Sequence, residues 1–396
     1  TAPNTSTDRT ITLPDATGTL LNSDGSAASL TAIPVTGLRP SAKPIIINGE
    51  MQVAQRGVTA SHADVNGNNM LCDRFNFNTG AIGVYTSIQE SLTSGAAFDA
   101  GFKKAARIDC TTAEASPGSG DYFYGEYIIE AQDCLAFKKG TSAAETMTVA
   151  FWVKSNKTGT GQLSVKEDDN DRLCAGTYTI SSADTWEHKI INIAADTTGA
   201  MNNDNGVGFR FEWWLGGGTS YTSGTAPTAW EARADADRNA NNLAINDNTA
   251  NDWAITGIQV EVGTYTSATL PPFQFESYGD SLARCQRYYH HSGYHAVTRY
   301  GGGSLVAQAF NASEAAGSNT FPVTMRASPT VNTKDASGNI GGIHRAGTGD
   351  ITSGVTIIWT TNADSNTKGI GGVLKSSAWA DNDTLIGGYQ ADAELS

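Results

Sequence analysis

The chain has 396 residues, more than one hydrophobic core usually serves, so two or more domains are expected. Charged residues are 17% against a usual level of about 25%, glycine is 43 of 396, and the 39% apolar content excludes a disordered chain. A formal charge of −14 argues against gripping a nucleic-acid backbone or anionic lipid; it suits neutral glycans or protein partners, and solubility alone would also account for it.

Thr1–Pro44 reads as an extended attachment segment and linker. Apolar residues alternate over Thr10–Leu13, Pro-Asp and Ser-Asp-Gly turns follow, and Pro34, Pro40 and Pro44 mark a connector. The plain alternative is a disordered linker. A chain that opens on Thr1 rather than Met is expected to be a piece or trimmed form of something longer.

Ile45–Phe275 is the first large domain. Its strand candidates are Arg74–Asn78, Ala81–Gln89, Lys104–Asp109, Tyr122–Ile129, Thr146–Val153, Gly161–Lys166, Gly176–Ile180, Trp186–Ile193, Gly206–Trp214 and Ala254–Val262. Most alternate apolar and polar residues or are rich in β-branched and aromatic side chains, with Gly, Asn, Asp or Ser clusters between them. Regular strand spacing over this length points to an antiparallel sandwich, and the strand count fits a jelly roll.

Glu276–Ser292 holds the one good helix candidate, Ser277–His291. Leu282, Cys285, Tyr288 and Tyr289 share a face, Glu276 and Asp280 sit near its start, and Arg284 and Arg287 lie toward its end. It serves either as a packed connector or as a helix around a threefold axis. Gly293–Ser396 follows as a smaller C-terminal β-sandwich, with strand candidates Leu305–Phe310, Thr320–Met325, Thr330–Lys334, Val355–Thr360 and Ala378–Tyr389. The fold class expected is therefore all-β.

Five strings in order carry a family likeness: NGEMQVAQRG, MTVAFWVKSNKTGTGQLSVKEDD, TWEHKIINIAADTTGAMNNDNGVGFRFEW, ITGIQVEVG and ARCQRYY. The middle three resemble strands of jelly-roll carbohydrate-binding modules. All five together resemble a module of tailed-bacteriophage tail fibres and other virion appendages, over about Ile45–His291. FPVTMRASPTV at Phe321–Val331 resembles part of the small β domain that often ends such proteins. The resemblance implies a homotrimer in the virion, made in the host cytoplasm. Other tail or fibre proteins would be met through the N-terminal segment, and a host-surface glycan or protein through the distal C-terminal domain.

Glycan sites need flat aromatic faces for sugar C–H groups and polar neighbours for hydroxyls. The candidates are Trp213, Trp214, Tyr221, Trp230, Trp253, Trp359 and Trp379. Trp213 and Trp214 are adjacent, so in a strand they point to opposite faces, and one of them is expected to be exposed or at an interface. Trp152 and Trp186 read as core. Asp235, Asp237 and Asn239 take the first spacings of a calcium loop, but Ala240 and Asn246 break the EF-hand pattern, which leaves an irregular structural Ca2+ site. Asp168, Asp169 and Asp171 form a second acidic turn.

No cofactor fingerprint, zinc spacing, GxSxG, HExxH or P-loop occurs, so no enzyme is expected. Cys72, Cys110, Cys134, Cys174 and Cys285 form no CxxC pair and read as small buried hydrophobes of a protein made in a reducing compartment. No apolar run approaches the roughly 18 residues of a membrane span, so no membrane insertion is expected. Two alternatives remain beside the receptor-binding fibre. One is a purely structural head or neck fibre or decoration protein. The other is a glycan-degrading tailspike, against which the lack of a repeat period counts.

Overall fold

The computed structural model describes residues 43–63, 70–292, 305–335, 339–346, 348–359, 367–376 and 379–395. The expected attachment segment, save its last two residues, lies outside them.

The first twelve strands are β1 (Thr59–Ala63), β2 (Phe75–Gly80), β3 (Val84–Ser91), β4 (Lys104–Thr112), β5 (Tyr122–Glu130), β6 (Met147–Lys154), β7 (Gly159–Glu167), β8 (Arg172–Ile180), β9 (Glu187–Ile193), β10 (Val207–Gly217), β11 (Glu231–Ala232) and β12 (Asp252–Val262). They form two six-stranded sheets, ordered β1-β3-β4-β12-β6-β9 and β11-β8-β7-β10-β5-β2, with every pairing antiparallel. The two sheets make a jelly-roll sandwich, as the alternation in the sequence requires. Inward residues such as Phe75, Phe77, Phe123, Val149, Phe151, Leu163, Phe211, Trp213, Trp253 and Ile255 fill the space between them. Trp213 sits against Phe75 at 5.7 Å and Phe151 at 5.6 Å, the latter ring edge-on.

The helix is shorter than the periodicity suggested. It spans Tyr278–Gln286, and Tyr289–His291 pass into a strand, β13. Ser277 caps it, its Oγ accepting from Asp280 N at 3.2 Å, and Arg284 reaches back to Glu276 at 2.7 Å. Cys285 and Tyr288 are buried against Ile47, Val53, Ile128 and Leu395, so its apolar face is used within this chain as a packed connector.

The C-terminal part consists of β14 (Leu305–Ala309), β15 (Glu314–Thr320), β16 (Thr330–Lys334), β17 (Ile343–Arg345), β18 (Gly349–Ile351), β19 (Thr356–Trp359), β20 (Gly369–Lys375) and β21 (Thr384–Asp392). β21 serves two sets of partners: Thr384–Gly387 pairs with β14, and Gly388–Asp392 pairs with β16 and, over its last three residues, with β13. Leu305, Met325, Leu374, Trp379, Leu385 and Tyr389 make its core. Thr320–Met325 is not a strand beyond Thr320. β15 and β20 were hidden because their sequences, EAAGSNT and GIGGVLK, lack the bulky alternation that marks a strand.

All five cysteines are buried and unpaired. No helix among the described residues is long and apolar enough to cross a membrane.

Candidate functional site

Alternation along β5 and β10 separates two sets of residues. Phe123 and Tyr127 of β5, and Phe211 and Trp213 of β10, enter the core. Tyr122, Tyr124 and Glu126, with Arg210, Glu212 and Trp214, take the outer face of the second sheet. Cross-strand register then places Trp214 beside Tyr124 and Glu212 beside Glu126. Asn76 and Asn78 on β2 flank one side, and Gln162, Ser164 and Lys166 on β7 the other.

A covering segment closes one end of this face. Gln162 Nε2 donates to Asp237 O and Ser164 Oγ to Arg238 O, both at 2.7 Å, which pins the 218–242 segment across the strands. Arg238 lies over Trp214 at 4.9 Å and donates to Glu212 at 2.8 and 3.1 Å, while Trp214 Nε1 donates to the same carboxylate at 3.0 Å. Trp214 is thus enclosed. Tyr122, Tyr124 and Tyr221 stay half-exposed at its margin, with Tyr221 5.1 Å from Trp214 and 6.0 Å from Tyr122.

The open end is polar. Arg210 donates to Glu126 Oε1 at 3.1 Å and to Asp168 Oδ2 at 2.6 Å, and Asn78 Nδ2 donates to Glu126 Oε2 at 2.9 Å. Burial pushes the Glu126 pKa up, and the opposing Arg210 guanidinium limits the rise. The buried Asn76 Oδ1 has no hydrogen-bond partner within the protein. Glu126, Asp168, Glu212 and Asp235 pair with Lys166, Arg210 and Arg238 across it, so the charges of this face are largely matched. Rings for sugar C–H groups and a fixed array of donors and acceptors for hydroxyls stand side by side.

The predicted aromatic candidates divide. Trp213 and Trp253 are fully buried between the sheets, and Trp379 is buried in the C-terminal core. Trp214 points to the opposite face from Trp213, as adjacency required, yet the covering segment buries it too. These four present no open ring face, which corrects the expectation of ligand contact. Trp230 is half-buried, packs on Phe209 and donates from Nε1 to Ala194 O at 2.7 Å. Among the described side chains of the predicted set, Tyr221 alone borders the open face. Trp359 lies in β19, and its side chain falls outside the described residues. Trp152, expected in the core, is instead half-buried on the outer face of the first sheet, stacked on His188 at 4.9 Å.

The proposed calcium residues are otherwise engaged. Asp235 pairs with Arg238 at 3.2 Å, Asp237 Oδ1 accepts from Thr225 N at 2.7 Å, and Asn239 is buried, donating to Asn242. Their turn fastens the covering segment. Asp168, Asp169 and Asp171 turn to Arg210, Asn202 and Arg233. Among the described residues no group of three or more His, Cys, Asp or Glu side chains could hold a metal ion.

Sequence reasoning missed Tyr122, Tyr124, Glu126, Lys166 and Arg210. Their signal was the outward half of the alternation in DYFYGEY, GFRFEWW and, for Lys166, GQLSVKE.

No family model matches the sequence, and no curated protein matches it. Among solved structures, the chain is similar to the tailspike protein 4 enzymatically active domain of Bacteriophage CBA120, at 10% identity and a TM-score of 0.26, over 55% of this chain and 21% of that one. It is also similar to a family 11 carbohydrate-binding module from Clostridium thermocellum, solved in complex with a β-1,3-1,4-mixed-linked tetrasaccharide. That likeness has 10% identity and a TM-score of 0.26, over 53% of this chain and 99% of the module. The chain spans about a fifth of the tailspike chain's length. At these identities and scores the likenesses assign no activity.

Proposed function

We propose that the chain is a non-catalytic, glycan-binding appendage protein of a tailed-phage virion, assembled as a trimer and joined to other virion proteins through its N-terminal segment. The observation that carries the glycan reading is the outer face of the second sheet. There the half-exposed Tyr122, Tyr124 and Tyr221 stand beside the Arg210–Glu126–Asp168 array. Its matched ion pairs suit a neutral saccharide at the host surface. The virion setting rests on the five ordered strings and on five unpaired cysteines, which suit assembly in a reducing cytoplasm. Trimerisation would add avidity to weak single sites.

The test compares the purified chain with a Tyr122→Ala/Tyr221→Ala variant and with Arg210→Ala, on susceptible cells and their extracted surface polysaccharide. Selective binding that falls about tenfold or more in the folded variants supports the reading. Equal binding by wild type and variants removes this face from the site.

One observation favours a second reading, a structural fibre whose partners are all in the virion. Trp379 lies in the C-terminal core and is not displayed at a distal tip. A well-folded trimer that binds neither cells nor polysaccharide would favour it.

A further inference from the structure

The outer face of the first sheet carries a separate cleft of about 300 Å3 that the reading above does not use. Its floor is Trp152 on β6, with Gly257 and Gln259 on β12. Its walls are Phe102 from one connection and the 267–275 segment from another.

The cleft depends on two close approaches of ring to backbone. Gly257 lies at a register shift between Thr256 and Gln259 with φ +62°, and a Cβ there would stand 2.6 Å from Phe102 Cζ. Gly101, with φ +107°, lets Phe275 lie over it, a Cβ there falling 3.0 Å from that ring. Both glycines occupy the left-handed region that disfavours other residues. Phe102, Phe273 and Phe275 brace one another at 4.9 to 5.1 Å, and His188 stacks on Trp152. The rings are therefore held in place before any ligand arrives.

The lining has no Asp, Glu, Lys or Arg, although the chain carries a charge of −14. Desolvation where it stacks on Trp152 lowers the pKa of the His188 imidazole, although the residue is exposed at the rim of the cleft. Three uncharged polar groups sit among the rings: the His188 imidazole, the Ser267 hydroxyl, and the Gln259 amide, which is fixed by bonds to Pro271 O at 3.0 Å and Glu261 Oε1 at 3.1 Å. The Gln259 Oε1, the His188 ring nitrogens and the Ser267 hydroxyl can serve ligand hydroxyls, which a purely apolar ligand would not use. The volume lies at the small end of ligand pockets, roughly 300–1,000 Å3, which suits one ring and not a chain of rings.

We propose that this cleft binds a single neutral pyranose unit, stacked between Trp152 and Phe275 and hydrogen-bonded by His188, Gln259 and Ser267, with the buried Phe102 bracing the wall behind it. It is a second saccharide site on the opposite side of the sandwich from the face described above. The two are independent, so either can fail without the other.

The test titrates the full chain with methyl glycosides of glucose, galactose, mannose and N-acetylglucosamine, and with indole as an aromatic comparator. Ligand-observed NMR and tryptophan fluorescence serve as readouts. At least one glycoside is expected to bind with a Kd on the order of 1 mM, as a lone ring of this size allows. Phe275→Ala removes a ring that is 50% exposed, and so threatens the fold least. It should weaken that binding about tenfold. Trp152→Ala should abolish it, and Val306→Ala, at an exposed position outside both faces, should leave it unchanged. The proposal is overturned if no glycoside binds the wild-type chain, if folded Phe275→Ala and Trp152→Ala bind as wild type, or if indole alone occupies the cleft.

Discussion

Arg74 and Glu394 stand 320 positions apart in the sequence and meet as a buried ion pair. The Arg74 guanidinium also lies 3.6 Å from the centroid of the Tyr288 ring and donates to Ile128 O at 2.6 Å. Beside it, Arg56 sits over Tyr289 at 3.5 Å and reaches Asp392 at 3.2 Å, while Arg287 and Tyr288 both bond Glu130. The strings NGEMQVAQRG and ARCQRYY therefore meet at a joint that fastens the jelly roll, the helix and the end of the chain together.

Burial alone would lower the Arg74 pKa, but Glu394 outweighs it and keeps the guanidinium charged. Glu394→Ala would leave that charge buried and unpaired, at a cost of about 3–5 kcal/mol in urea denaturation. Replacing both partners, Arg74→Met with Glu394→Leu, should recover most of the loss. An equally unstable double variant would show that the surrounding bonds, and not the pair, hold the joint.

Core and surface aromatics should separate cleanly. Trp213→Ala and Trp379→Ala each empty a buried site and should cost about 3–5 kcal/mol. Tyr221→Ala, at a half-exposed margin, should cost no more than about 1 kcal/mol. Thermal melts read the difference, and a mild Trp379→Ala would return that residue to the list of surface candidates.

Glu50 sits near Glu276 in the cleft under the helix, and its pKa is raised to about 7, by burial first and then by that neighbouring carboxylate. A carboxyl whose folded pKa exceeds its unfolded value binds its proton more tightly when folded. Its contribution is most favourable below the unfolded value and is lost as pH rises from about 4.5 through about 7. Glu50→Gln should stabilise the protein at pH 8 by on the order of 1–3 kcal/mol and change little at pH 4. A stability difference independent of pH would assign the effect to packing.

Burial raises the thiol pKa of every cysteine and removes it from solvent. A thiol reagent such as Ellman's should find no reactive cysteine in the native protein and all five in denaturant. Rapid labelling of any one in the native state would place its segment in a locally opening unit.

The strand-rich jelly roll, its ten main strands and the helix start were readable because each is a local pattern. Period-two alternation with Gly and Asn breaks specifies a half-buried strand, and Glu276 and Asp280 ahead of a three-and-four apolar face specify a helix start. Weakly patterned strands such as Glu314–Thr320 and Gly369–Lys375 escaped, because only pairing with neighbours makes them strands.

The site was legible only in part. Alternation alone put Trp213 and Trp214 on opposite faces, whereas the grouping of Tyr122 with Tyr124 and Glu126 emerged only with the sheet. What lies above a face is a different kind of fact. The 218–242 segment that buries Trp214 is held by Gln162 and Ser164, some 75 positions away in the chain. Likewise, Trp152 lines a cleft because Phe102 and Phe273 come to it from two separate connections. Local sequence determined which side chains share a face. Only the tertiary structure decided which faces stay open, since burial depends on contacts between segments whose separation carries no local signal.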